Sequence, residues 1–399
     1  MKNLILCSNF FPSDKEEPFL RTEFPFLESE FEHIFIHRNE LDTAMDEGHS
    51  MLPKTIIKVP IRNLLRQNWK ILLSAVLTEF IQSSKRLHYI VHYKKYFNIW
   101  IGWLKEAKDW EEILKQFSSN DTIIYTYWYE KQANALSVLK AQGKLPFRWV
   151  SRAHGWDLDK NQRTDGLIPF RHWMLKHAPN NLVSISNFGS AIFKENYGVI
   201  ANVARLGTTD LGLGPVPSDN NKLTIISNSS IIPLKRVDLI IEILAKSKTQ
   251  ITWIHYGDGP MANTLAWRSL PKNVTLIRKG NTHHTALLQE LITTPVDIML
   301  HVSELEGIPV SIMECMSMGI PVMACDTGGV KEIVDNENGW LLPITLNAAQ
   351  IAEKIDNLHK TKAVLVEKRK MARKKWEDEY QAKVNFPNFI QTYLSQRNI

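Results

Sequence analysis

Residues 303–343 read SELEGIPVSIMECMSMGIPVMACDTGGVKEIVDNENGWLLP, and this stretch decides the fold. The apolar run Ile298–His301 precedes it and has the length and composition of a buried strand. After a polar loop, the segment 309–317 predicts a helix, because proline suits a first helical turn. The apolar run 321–325 predicts the next strand, and the glycines at 328–329 predict a turn into another helix. This alternation indicates a parallel α/β sheet.

Two glutamates within this stretch, Glu306 and Glu314, have seven residues between them. Glu306 lies in the predicted loop, and Glu314 lies about one turn into the following helix. Carboxylates there accept hydrogen bonds from sugar and ribose hydroxyls, and Gly307 allows a ligand to approach the backbone. On spacing alone, Glu314 also fits a residue that complements the helix dipole, and Glu306 fits a solvated side chain.

The residues before this stretch follow the same pattern of strand, loop and helix. Strands are predicted at 223–227 and 251–255, with Lys235 in the loop between the first of them and the helix 237–247. A lysine at that place can neutralise a diphosphate as a point charge. Gly257-Asp-Gly-Pro forms the loop after the second strand.

The N-terminal half opens another α/β series, with strands predicted at Leu4–Cys7 and Ile34–Ile36. The Gly- and Pro-rich segment 211–221 is typical of a linker. We therefore predict two doubly wound, Rossmann-like α/β domains that face each other across a cleft. The predicted divisions are 1–210 for acceptor binding, 211–375 for donor binding, and 376–399 as a C-terminal helix that packs back toward the first domain.

The stretch 303–343 resembles the donor-site region of the retaining glycosyltransferases of family 4, which share the two-domain glycosyltransferase B-type fold. The elements that carry the resemblance are in register: Glu306, Glu314, Met318-Gly-Ile-Pro, Gly328-Gly329 and Glu332. The loops at Lys235 and Gly257 match as well, and Ser151-Arg-Ala-His154 resembles a run in some members. The likeness extends from about Phe147 to Pro343 and is weak over the first 140 residues.

The resemblance implies a role for each matched residue. Catalytic roles fall to His154, Lys235 and Glu306, and Asp157 is expected to orient His154 or to bind the acceptor. Donor contacts are expected from Ser230, Arg236, Gly257, Gly259, Gly307, Ile308, Pro309 and Glu314.

Two positions depart from the family pattern. Ser230 stands where relatives commonly have an arginine, five residues before the lysine. Either Arg236 or another base supplies the second charge, or the serine serves as a weaker hydrogen-bond donor. The first loop reads Phe10-Phe11-Pro12 where many relatives have a Gly-Gly pair. The first departure bears on the phosphate site, and the second bears on the acceptor side.

Composition and charge set further bounds. The 399 residues carry a net charge of +6, and the three cysteines have no metal-binding spacing. The opening apolar run is too short for a signal-peptide core, and the apolar run 71–80 is too short to span a bilayer. These features lead us to expect a cytoplasmic protein, which could also lie peripherally on the inner face of the membrane.

One segment, 61–110, is both basic and aromatic. Between Ile61 and Lys108 it has nine Lys or Arg residues against two Glu, a surplus larger than that of the whole chain. Three interpretations stay open: an amphipathic helix pair with core aromatics, contact with an anionic membrane surface, or nucleic-acid binding. We expect no nucleic-acid partner.

These features together predict a retaining glycosyltransferase that moves a sugar from a UDP- or GDP-sugar to a glycan acceptor. A lipid-linked acceptor in surface polysaccharide biosynthesis is expected. No cofactor and no metal are expected, because basic side chains and amides would neutralise the diphosphate. The alternatives are a nucleotide-sugar epimerase on the same fold and a non-catalytic nucleotide-sugar sensor or scaffold.

Overall fold

The computed structural model describes residues 2–12, 17–38, 50–52, 59–158, 166–217, 222–358 and 362–396. The chain divides into two compact units. The first comprises Met1–Ala204 and Phe386–Ile399, and the second comprises Arg205–Asn385. The 218–221 part of the predicted linker lies outside the described residues.

The first unit contains a parallel sheet whose described strands run in the order β3-β2-β1-β4-β5-β6-β7. The order reverses between β1 and β4, which is the arrangement of a doubly wound sheet. Apolar side chains on both faces of the central strands are buried, as in a sheet covered by helices on each side. The strands are β1 (Asn3–Ser8), β2 (His33–Arg38), β3 (Ser50–Met51), β4 (Thr122–Thr126), β5 (Arg148–Ala153), β6 (Asn181–Ser184) and β7 (Asn202–Val203).

The described helices of the first unit cover this sheet. They are α1 (Pro18–Glu30), α2 (Ile61–Gln82), α3 (Arg86–Val91), α4 (Tyr93–Leu114), α5 (Gln132–Ala141), α6 (Arg171–Lys176) and α7 (Asn187–Tyr197). Trp100 and Trp110 of α4 are fully buried together with Trp149 and Trp173. The long α4 is therefore a core helix.

The second unit contains a parallel sheet in the order β10-β9-β8-β11-β12-β13, with its reversal between β8 and β11. The strands are β8 (Lys222–Asn228), β9 (Gln250–Tyr256), β10 (Val274–Gly280), β11 (Ile298–His301), β12 (Val322–Cys325) and β13 (Gly339–Leu342). The helices are α8 (Val237–Lys246), α9 (His284–Leu291), α10 (Val310–Ser317), α11 (Val330–Ile333), α12 (Ala348–Leu358) and α13 (Lys362–Glu379). Helix α14 (Ala382–Phe389) begins in the second unit and ends in the first, and the π-helical segment Ile390–Ser395 that follows it belongs to the first unit. Two Rossmann-like units are thus present. Among the helices described in both units, none has the length and apolarity needed to cross a membrane.

The division between the units differs from the predicted one at both ends of the second unit. The first boundary was predicted after residue 210, whereas the second unit begins at Arg205. The segment 376–385 also belongs to the second unit. Trp376 Nε1 donates to Thr208 Oγ1 at 2.8 Å, and Thr208 forms a parallel bridge with Gln381. Thr208 and Trp376 both lie outside the predicted domain 211–375, and these contacts join them within the second unit.

The chain returns to the first unit from Phe386 onward. The Phe389 ring lies 3.8 Å from the Arg152 guanidinium carbon, and both side chains are buried. Arg152 in turn pairs with Glu23 of α1 at 2.6 Å, with both side chains fully buried. The C-terminal segment therefore covers the buried ion pair of Arg152 and Glu23. Without this segment, the pair would be less well shielded from water.

We expect Phe389→Ala to destabilise the first unit by about 3–5 kcal/mol, because it removes a buried ring and uncovers Arg152. Val384 lies on the same helix and is 45% exposed, so Val384→Ala should change stability by less than about 0.5 kcal/mol. Thermal unfolding followed by circular dichroism measures both. Equal melting temperatures for the two variants would show that the C-terminal segment does not support this unit.

Candidate functional site

Four loops meet at one edge of the second sheet. They follow β8, β9, β11 and β12, which are neighbours and run parallel. Since the carboxyl ends of parallel strands share an edge, the predicted elements around Lys235, Gly257, Glu306 and Gly328 come together there. We call this group of loops the donor-side edge.

The loop after β8 places Lys235 at the end of a short 3-10 turn, Pro233–Lys235. Arg236 follows in the left-handed conformation, with φ of 52°, and α8 begins immediately after it. Leu234 O accepts a hydrogen bond from Glu304 N at 2.9 Å. The loops after β8 and β11 are therefore joined through their backbones.

Lys235 Nζ lies 2.6 Å from Glu306 Oε1, and His301 Nε2 lies 3.2 Å from the same oxygen. Burial raises the pKa of Glu306, but the His301 imidazole beside it and the charge of Lys235 outweigh burial and lower the pKa to about 2. Glu306 is thus an anion at neutral pH. His301 was not among the predicted residues, although it ends the strand that leads into this loop.

Glu314 is buried within α10, and its Oε1 lies 2.5 Å from Nε2 of His284. His284 is the first residue of α9 and is partly exposed. No local spacing predicts this contact, since thirty positions separate the two residues. A carboxylate and an imidazole side by side can both hydrogen-bond to hydroxyl groups of a ligand.

The glycines at the donor-side edge allow close backbone contact. A Cβ on Gly328 would lie 1.9 Å from Glu306 O, and a Cβ on Gly329 would lie 1.8 Å from Gly307 O. Gly329 N donates to Glu306 O at 3.1 Å. The turn after β12 therefore packs directly on the loop that carries Glu306, which only glycine permits.

The Gly257 loop packs in the same way on the loop after β8. A Cβ on Gly257 would lie 2.0 Å from Ser229 O, and one on Gly259 would lie 2.5 Å from Ile231 O. Ile231 N donates to Asp258 O at 2.9 Å. The close packing of the two loops therefore explains why both positions are glycine, whether or not they also touch a ligand.

The other predicted donor residues occupy different environments. Ser230 is exposed, whereas Gly307, Ile308 and Pro309 are buried. Arg236 directly precedes α8 and is the base closest in sequence to Lys235.

His154 and Asp157 lie in the first unit, directly after β5. Burial, reinforced by the charge of Arg152, lowers the pKa of His154 well below 6.5, so its imidazole is neutral at pH 7. Its ring lies 4.6 Å from that of Tyr127 and 4.4 Å from that of Trp128, between ring centroids. Neither ring nitrogen is hydrogen-bonded to a residue that the structure describes.

Asp157 is fully buried, and its carboxylate oxygens accept hydrogen bonds from Tyr129 N at 2.7 Å and His154 N at 2.5 Å. Burial and the charge of Glu130 raise the pKa of Asp157 to about 7, against the effect of these amides. The geometry favours the predicted role of positioning His154 over the predicted contact with an acceptor.

Glu17 holds the first loop, which has no glycine. It is buried, and its carboxylate accepts hydrogen bonds from the backbone N–H groups of Asn9, Phe10 and Phe11 at 2.8–3.0 Å. Trp128 Nε1 donates to it at 2.6 Å. The chain's own carboxylate thus satisfies amides that could otherwise bind an anion. Sequence analysis missed this residue.

Within the described residues, no group of three or more His, Cys, Asp or Glu side chains is arranged to hold a metal ion.

The fold and the donor-side edge define a class of protein. Residues 214–378, which contain nearly all of the second unit, match the family of glycosyl transferases group 1. The lipopolysaccharide outer core galactosyltransferase WaaB, in its apo form, has a TM-score of 0.68 at 15% identity over 99% of each chain. Alr3699/HepE of Anabaena, in complex with UDP-glucose, has a TM-score of 0.65 at 16% identity, covering 99% of this chain and 100% of that one. At such identities the likeness shows the fold, which is the glycosyltransferase B-type fold.

This match agrees with the resemblance to glycosyltransferases seen in the sequence. WcaL of Escherichia coli K12, whose assignment is colanic acid biosynthesis glycosyltransferase, is 30% identical over 160 residues. That alignment covers 35% of this chain and 38% of WcaL, which is less than two thirds of the relative. The amylovoran biosynthesis glycosyltransferase AmsK of Erwinia amylovora is 44% identical over 41 residues, or 10% of each protein.

The low pKa of Glu306 makes stability depend on pH. A carboxyl whose pKa falls from its ordinary value of 4.5 to about 2 on folding adds stability above about pH 4.5. That stability is lost as the pH falls from about 4.5 toward about 2. We therefore expect Glu306→Gln to flatten the acid branch of the stability curve, as measured by melting temperature against pH.

Glu304 is the matched control, because it lies in the same loop and is exposed. Glu304→Gln should retain the wild-type dependence on pH. If Glu306→Gln and wild type lose melting temperature in parallel across this window, Glu306 does not have the stated interactions with Lys235 and His301.

Proposed function

We propose that this protein is a retaining glycosyltransferase of family 4, which transfers a sugar from a nucleoside diphosphate sugar to a hydroxyl of a glycan. The observation that carries the proposal is the Lys235–Glu306 pair, 2.6 Å apart and contributed by loops that follow neighbouring strands. It places a fixed positive charge beside a fixed carboxylate at the edge where ligands bind in open α/β sheets.

In the proposed reaction, the bond between the anomeric carbon and the diphosphate oxygen breaks as the acceptor oxygen bonds to that carbon. Negative charge develops on the leaving diphosphate. The proton of the acceptor hydroxyl is transferred either to that diphosphate or to water. Lys235 would stabilise that charge as a preorganised cation. The backbone amides at the start of α10 and the guanidinium of Arg236 are the further groups assigned to the phosphates.

The two glutamates would hold the sugar and the ribose. Glu306 remains ionised because its pKa is about 2, so it can accept hydrogen bonds from sugar hydroxyls at any physiological pH. Glu314 would accept from ribose hydroxyls, with His284 beside it as a second polar group. His154 keeps its predicted place near the donor sugar on the strength of the family resemblance, and its neutral imidazole fits a hydrogen-bonding role.

The relatives support a pathway. WcaL is assigned to the biosynthesis of colanic acid, and AmsK to that of amylovoran. Alr3699/HepE of Anabaena has been crystallised in complex with UDP-glucose. We infer that the acceptor is a growing surface polysaccharide, carried on a lipid, and that a UDP- or GDP-sugar is the donor. Donor identity within this class depends on the shape of the pocket around Glu306 and Glu314.

The first test compares wild type with Lys235→Ala on a panel of UDP- and GDP-sugars, with membrane lipid extract as acceptor. We expect nucleoside diphosphate release with one donor, dependent on acceptor, and a loss of about 10²–10³-fold in kcat for the variant. Lys246→Ala is the control, because Lys246 is an exposed lysine at the end of α8. It should keep wild-type turnover.

Other outcomes would assign a different function. Conversion of the donor sugar without any acceptor would indicate an epimerase. Saturable donor binding without release across the panel would indicate a sensor or scaffold. Full turnover by Lys235→Ala would contradict the role of Lys235, whatever the reaction is.

We also expect the transfer to need no divalent ion, because the proposal assigns the diphosphate charge to Lys235, Arg236 and backbone amides. Turnover should therefore persist in excess EDTA. Loss of turnover that added magnesium restores would overturn this part of the proposal.

A further inference from the structure

The exposed apolar side chains are concentrated on one part of the first unit. Of the 22 large hydrophobic residues that are exposed among the described residues, twelve lie between Ile61 and Phe97. We call them the α2–α3 face: Ile61, Trp69, Leu73, Val76, Leu77, Phe80, Ile81, Leu87, Ile90, Val91, Tyr93 and Phe97. A concentration of exposed apolar residues of this kind indicates an interaction surface.

The orientation of α2 explains this concentration. Its buried residues include the polar Asn68, Thr78 and Glu79, while Trp69 is 55% exposed and Ile81 is 76% exposed. The helix therefore turns its polar positions inward and much of its apolar surface outward. An ordinary surface helix does the reverse.

Glu79 shows why the inward side is polar. Its carboxylate accepts hydrogen bonds from Trp173 N at 3.0 Å and from the Tyr89 hydroxyl at 3.2 Å. His172 Nδ1 lies 3.2 Å from the same carboxylate. These contacts join α2 to α6 and α3, so the outward direction of the apolar residues is fixed by a buried polar cluster.

The charge on this face has one sign. Residues 61–97 contain seven Lys or Arg residues and a single acid, Glu79. Glu79 is buried, whereas all seven basic residues are exposed: Arg62, Arg66, Lys70, Lys85, Arg86, Lys94 and Lys95. The exposed charges of this segment are therefore all positive.

A groove runs along α2 within this face. Trp69, Leu73, Leu77 and Ile81 line a cavity of about 500 Å³, with Lys70 and Lys176 among the residues at its border. Apolar walls with lysines beside them match the acyl chain and the anionic head group of a lipid.

We propose that the α2–α3 face binds the surface of an anionic lipid bilayer, with Leu77 and Ile81 inserted among the acyl chains and the basic residues at the head groups. A second copy of the chain is a poorer occupant, because two such faces would bring like charges together. Nucleic acid is also poorer, because it offers no apolar surface to Leu87, Ile90 and Val91. The proposal goes beyond the transfer reaction and does not depend on it.

The test is sedimentation of the full chain with vesicles of phosphatidylcholine alone, and with vesicles that contain about one third phosphatidylglycerol. We expect binding to the anionic vesicles that weakens with salt. Leu77→Ser with Ile81→Ser should lower the partition coefficient at least about tenfold, since both side chains leave water on binding. The control is Val364→Ser with Val366→Ser, two exposed aliphatic residues of α13, which should bind as wild type does.

Both variants change exposed side chains, and circular dichroism and melting temperature check that they fold. Absence of binding to anionic vesicles, or equal binding by the two double variants, would overturn the proposal. A Leu77→Ser/Ile81→Ser protein that changes from dimer to monomer but keeps its vesicle affinity would also overturn it, and would assign the face to self-association. No sugar donor is present, so the outcome is independent of the glycosyltransferase proposal.

Discussion

The loop 303–309 is fixed on two sides, and the donor-side edge depends on it. Glu304 N bonds to Leu234 O on one side, and Glu306 O accepts from Gly329 N on the other. The carboxylate of Glu306 then holds Lys235 at 2.6 Å. Because backbone contacts set the positions of both charged side chains, they are arranged before any ligand arrives. Such preorganisation is what electrostatic stabilisation of a leaving group requires.

The strands and helices of the second unit could be predicted from the sequence, because its strands are short apolar runs separated by turn residues. The predicted strand Ile298–His301 has the observed bounds, and the predicted helix 309–317 differs from Val310–Ser317 by one residue. The meeting of the four loops follows from the parallel order. His301 and His284 escaped prediction because their contacts with Glu306 and Glu314 arise only when separate elements fold together. The spacing of residues within one segment does not predict a contact between two separate segments.

The first unit was less predictable, and Glu17 shows the reason. The absence of glycine at Phe10-Phe11-Pro12 was visible in the sequence, but its consequence was not. The loop satisfies its amides with a side chain from a few residues further along and with help from Trp128. Trp128 also packs on His154, so this carboxylate supports the environment of a predicted catalytic residue. An isolated glutamate in a loop carries no signal of that role.

In the segment 61–110, amino-acid composition does not distinguish a helix with buried aromatic residues from one with exposed aromatic residues. Its helices α2 and α4 share basic and aromatic residues, yet Trp100, Trp103 and Tyr96 of α4 are buried whereas Trp69 of α2 is exposed. The interpretation as a helix pair with core aromatics is therefore correct for α4 and does not describe α2. The contacts of Glu79 account for the orientation of α2, since its buried carboxylate meets Trp173 N and the His172 ring on the side that faces the core. The inward side of α2 is therefore polar, and Trp69, Leu77 and Ile81 remain exposed.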